Sequence, residues 1–125
     1  MQRRSWLFWI ICAIAVITVF SGFGQMVMPS LVLSIVGGES TATSNHFFSI
    51  VGMFMVLFGG LLLQAMLHKE KQPIAVFWSG LQKVGACIAV TIGVFNGIFG
   101  GIALLVAGFD GLSAVLIMLY WLTIK

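Results

Sequence analysis

Apolar residues in this chain come in long runs, parted by a few short polar stretches. A helix needs about 20 apolar residues to cross roughly 30 Å of hydrocarbon, so run length decides which segments can span a bilayer. The first run, Trp6 to Met28, supplies about 23 residues, or about 34 Å of helix. Pro29 closes it, because a proline ring disfavours the helical conformation in the residue before it. Ser30 to Gly38 (SLVLSIVGG) is too short to span and reads as a short interfacial helix or a re-entrant turn, stopped by Gly37 and Gly38. The most polar run, ESTATSN, follows, and Ser44 or Asn45 is placed to cap the next helix. A second span is expected over about 46–67. It ends at the charged turn HKEKQP, whose Pro73 suits the first turn of a third helix.

From Ile74 onward there is room for two spans and a short connection. The glycines and asparagine of NGIFGG (Asn96 to Gly101) divide this stretch into spans near 74–95 and 102–123. A rival division turns at Gly108–Gly111 instead, leaving about 14 residues, roughly 21 Å, which is short for a crossing. The expected fold is therefore all-α: a single polytopic membrane domain over 1–125, with four transmembrane helices in an antiparallel bundle.

Composition agrees, with 61% hydrophobic residues and 7% charged, where a soluble domain has about 25% charged. So few charges cannot coat a water-facing surface. The net charge of +3 comes from only six basic residues, which form no basic patch, so nucleic acid is not an expected partner. Arg3, Arg4, Lys69, Lys71 and Lys125 fall on one side of a four-span topology, and the opposite loops contain no Lys or Arg. By the positive-inside rule both termini are expected in the cytoplasm, in a bacterial inner (cytoplasmic) membrane. Trp6, Trp9, Trp78, Tyr120 and Trp121 fall near that same interface. The basic start resembles a signal peptide, but its apolar run exceeds the roughly 7–15 residues of a cleaved one and lacks an A-x-A site, so it reads as a retained first span.

Against this background two charges stand out. Lys83 and Asp110 lie inside apolar segments, where an ionisable group needs a partner. On helices folded about residue 98 or 99 they lie about one helical turn out of register, within a lysine's reach. They are a candidate intramembrane ion pair. The other readings are Lys83 snorkelling to the headgroups with Asp110 in a wet vestibule, or a proton- or ion-coupling role. Beside them Gly85, Ala89, Gly93, Gly97 and Gly101 form a small-xxx-small stripe, a candidate helix-packing face for this bundle or for a partner subunit. Gly52, Gly59 and Gly60 on the second span are expected to supply a facing groove, while Gly22 and Gly24 read as local flexibility.

The remaining chemistry is sparse. His46 and His68 are roughly 22 positions apart, about 33 Å along a helix, and cannot clamp one haem. A pigment or haem held by one histidine has no further sequence support. Cys12 and Cys87 sit in apolar runs without C-x-x-C or zinc spacing and are expected to pack as small hydrophobes. No phosphate loop, nucleophile elbow or paired carboxylates occur. No catalytic residue, metal site or cofactor is expected.

The pattern of Pro29 closing the first helix, Gly52, Gly59 and Gly60 in the second, Lys83 early in the third and Asp110 in the fourth resembles the DoxX-like group of small four-helix membrane proteins. Many relatives carry an arginine where Asn45-His46 stands here. The resemblance implies a four-helix bundle and a group with varied roles, including a subunit of quinone-linked sulfur oxidation and assembly factors for larger membrane proteins. The leading functional expectation is a non-catalytic accessory, structural or assembly subunit, with the lipid bilayer and other membrane subunits or its own copies as partners. The alternatives are a small proton- or ion-coupled transporter using Asp110 with Lys83, and a quinone-associated redox subunit using apolar surface such as Phe95, Phe99 and Phe109.

Overall fold

The computed structural model describes residues 5–125 and is all-helical. Arg3 and Arg4, which enter the orientation argument, lie outside the described residues. Helix α1 spans Trp6–Val27 and starts at Ser5, whose hydroxyl accepts from the Phe8 N–H at 3.3 Å. Pro29 opens the short helix α2, Pro29–Ile35, so the proline ends one helix and begins the next. Gly37 follows at φ +80°, a conformation that side chains with a Cβ rarely adopt.

Helix α3, Ala42–Leu67, begins ahead of the expected position near His46. The cap is Thr41 rather than Ser44 or Asn45. Its Oγ1 accepts from the Ser44 N–H at 3.0 Å, and Ser44 Oγ accepts from the Thr41 N–H at 2.8 Å. This reciprocal pair satisfies two backbone donors at the helix start. Helix α4, Pro73–Phe95, carries proline in its first turn. It stops where Gly97 takes φ +74°, and the Ile98 N–H turns back to the Gly93 carbonyl at 2.9 Å. Helix α5 is Ala103–Ile124, so the alternative break at Gly108–Gly111 is helical.

Helices α1, α3, α4 and α5, of 22, 26, 23 and 22 residues, are each long and apolar enough to cross a membrane. Large apolar side chains such as Phe20, Phe47, Ile74 and Leu105 lie exposed on the outside of the bundle. An integral membrane protein is the class these features define.

The helices pack as two close pairs. In the first, α1 meets α3 through glycine: a Cβ added at Gly22 would stand 2.6 Å from the Gly52 carbonyl oxygen, and one at Gly52 would stand 2.6 Å from that of Gly22. One to two turns further along, Gly59 abuts the Ala15 carbonyl and Val19. Gln25 Nε2 donates to the Phe48 carbonyl at 2.9 Å and Ser49 Oγ to that of Met26 at 3.0 Å, tying the pair by side chains as well. In the second pair, α4 meets α5 with Gly80 against Met118 and Ile117, and Gly111 against Cys87.

The two pairs share a core in which Ile11, Leu62, Val76 and Ile117, one from each long helix, are nearly or fully enclosed. In lipid the hydrophobic effect gives helices little reason to associate, so this core holds mainly by close packing, with about 0.1–0.2 kcal/mol per atom pair accumulating over many pairs. The α2–α3 loop also touches the α4–α5 connection, where the Gly100 N–H donates to the Val36 carbonyl at 2.8 Å.

Candidate functional site

Lys83 sits at the middle of α4 and is 3% exposed. Its Nζ donates to two acceptors from two other helices: Asp110 Oδ1 on α5 at 3.2 Å and Thr18 Oγ1 on α1 at 2.6 Å. The ammonium also lies 5.3 Å from the centre of the Phe109 ring, where an aromatic face attracts a cation. Asp110 is 8% exposed. Its carboxylate is the acidic partner in the one ion pair among the described residues.

Thr18 is the member that sequence reading does not single out. Its hydroxyl donates to the Ile14 carbonyl at 2.8 Å, the back-bond by which a threonine satisfies itself inside an apolar helix. With its proton so used, Oγ1 presents a lone pair to the lysine. The available signal was a hydroxyl in the middle of the first apolar run, but that residue is unremarkable until α4 is placed beside α1.

Two buried charges taken out of water need every donor and acceptor matched, or desolvation outweighs their attraction. Here no buried side-chain nitrogen or oxygen among the described residues lacks a hydrogen-bond partner. The cluster is a closed polar knot joining α1, α4 and α5. It crosses from one helix pair to the other.

The glycine stripe does not run as one helical face. Helix α4 ends at Phe95, which leaves Gly97 and Gly101 in the connection to α5. Gly93 is filled by the Phe99 ring of that same connection. A Cβ added at Gly85 would meet no atom of the described residues within 4 Å, and Ala89 is exposed, so these two face out of the bundle. The groove on α3 also differs from expectation: Gly52 and Gly59 face α1 rather than α4, and Gly60 faces open space. Gly22, read as a flexible point, is a packing residue, whereas Gly24 has nothing near it.

His46 lies in the first turns of α3 with its ring edge-on to Phe47, and His68 caps the far end of that helix. His68 Nδ1 accepts from the Glu70 N–H at 3.2 Å. No three His, Cys, Asp or Glu side chains among the described residues come together as a metal-binding group. Cys12 is part of the core and Cys87 packs on Gly111. The three phenylalanines have separate surroundings: Phe95 is exposed at the end of α4, Phe99 folds onto Gly93, and Phe109 lies beside Lys83. No protein-family model, curated protein or solved structure matches the chain.

Proposed function

We propose that this chain is a non-catalytic accessory, structural or assembly subunit of a larger membrane complex. Its four spans run antiparallel, with both termini in the cytoplasm of a bacterial inner membrane. The observation that carries the reading is the small-residue surface of α4. Gly85 and Ala89 lie on its outer face, and none of the described residues fills the space over Gly85. Small residues of this kind let a second helix approach closely in lipid, where packing drives association. The DoxX-like pattern in the sequence points toward the same class of small bundle.

Purification in mild detergent from cells making the chain at native level tests this reading. A defined set of membrane proteins should co-purify, and Gly85→Leu should reduce their yield several-fold while the chain itself still accumulates. A chain that runs strictly alone overturns it.

A second reading has its own support in the knot of Lys83, Asp110 and Thr18, because intramembrane charges commonly mark ion pathways. In this reading the protein is a small proton- or ion-coupled transporter in which Asp110 exchanges its bond to Lys83 for a proton or cation. Flux in proteoliposomes that is unchanged by Asp110→Asn would remove it.

A further inference from the structure

At one end of the bundle the start of α1, the α3–α4 turn and the end of α5 line an open-mouthed cavity of about 670 Å³. That volume lies within the roughly 300–1,000 Å³ typical of small-molecule sites. Buried Phe8, Met66 and Val76 make its apolar wall, and exposed Lys69 and Lys71 make its rim. Lys71 Nζ lies 5.7 Å from the centre of the Tyr120 ring, which also lines the cavity. Among the described residues neither ammonium has a carboxylate within ion-pair distance, although Glu70 stands between the two lysines in the chain and lines the cavity too. Aromatic residues cluster at this level, with the Phe77 and Trp121 rings 4.9 Å apart.

An apolar wall under a cationic rim matches a ligand with hydrocarbon on one side and an anion on the other. We propose that this cavity holds the phosphate-bearing headgroup of an anionic phospholipid, with Lys69 and Lys71 on the phosphate and the acyl chains against the apolar wall. Basic pockets between helices at a cytoplasmic leaflet favour such headgroups. A free phosphate shares the anion but has no use for Phe8, Met66 and Val76. The lipid assignment draws on the proposed orientation, which puts this end in the anionic leaflet. Its test in detergent does not depend on orientation, so either can fail while the other stands.

The full chain, purified in detergent and offered equal phosphatidylglycerol and phosphatidylcholine with identical acyl chains, should retain phosphatidylglycerol selectively when its bound lipid is read by native mass spectrometry. Each lysine near a charged lipid surface is worth about fivefold, so Lys69→Gln with Lys71→Gln should cut the selectivity by about 25-fold. Both residues are exposed in a turn, so folding is expected to survive the change. Lys125→Gln, at a lysine that lies over Trp121 and does not line the cavity, should leave selectivity in place. Equal retention of the two lipids, undiminished selectivity in the double variant, or the same loss in Lys125→Gln would each overturn the proposal. So would displacement of phosphatidylglycerol by excess inorganic phosphate, which would assign the rim to a free anion.

Discussion

Lys83 differs from an ordinary ion-pair lysine because half of its support is neutral. Asp110 supplies charge and Thr18 supplies a hydroxyl from another helix. Removing one member of a buried charge pair leaves the other without compensation and typically costs about 3–5 kcal/mol. Lys83→Met and Asp110→Leu should therefore each destabilise the fold strongly. The double variant, which leaves no orphan charge, should be milder than the sum of the two. Reversible unfolding in mixed micelles reads this cycle, and simple additivity would mean the two charges are not coupled. Thr18→Val should cost less, about 1.5–3 kcal/mol, as expected for one hydrogen bond to a charged group. The two charges were legible in the sequence because each interrupts an apolar run. Thr18 was not, because a hydroxyl bonded to its own helix gives no sign that it also has a distant donor.

At the scale of elements, the two ends of the glycine inventory should respond with opposite sign. A Cβ at Gly52 would meet the Gly22 carbonyl at 2.6 Å, which is backbone and cannot swing aside. Gly52→Ala should push α1 and α3 apart and cost about 1–3 kcal/mol, the usual range for overpacking. Gly60 has open space around it, so Gly60→Ala should be neutral or gain up to about 1 kcal/mol from better helix propensity. Thermal unfolding of the two variants side by side distinguishes them, and a matching loss in both would show that α3 is sensitive to alanine for some reason other than contact.

The helices themselves were readable because apolar run length and prolines bound them, and Pro29 and Pro73 stand at helix starts. The start of α3 was less so: Thr41 caps with a serine three residues on, in place of the Glu or Gln that makes the motif easy to see. The faces used by Gly22, Gly52 and Gly85 were not readable at all. A glycine's spacing tells that a helix can be approached, and only the tertiary arrangement tells by what.

On the scale of the whole molecule, three ties hold the α1–α3 pair to the α4–α5 pair. One is the shared apolar core, the second is the Lys83 knot, and the third is the bond from the Gly100 N–H to the Val36 carbonyl. The last depends on Gly37, which has φ +80° and whose added Cβ would come within 2.5 Å of the Gly100 nitrogen. Gly37→Ala combines a backbone strain of about 1–2 kcal/mol with that collision. It should open this end of the bundle, seen as faster protease cutting in the loops around residues 36–41 and 96–102. Gly101→Ala, with open space around it, is the matched control and should cut at the parental rate.

The Lys83 knot also has a direction in time. Its threonine lies 65 residues before the lysine in the chain and its aspartate 27 residues after. Translation therefore delivers the acceptors in sequence, one long before the lysine emerges from the ribosome and one later. A helix carrying a bare ammonium would find only the hydroxyl of α1 waiting for it, a neutral foothold that needs no counter-charge to be already in place. The aspartate then arrives to meet a lysine that already has one bond. With the two acceptors in the opposite order, an unpaired carboxylate would have had to wait through the synthesis of the 65 residues up to the lysine.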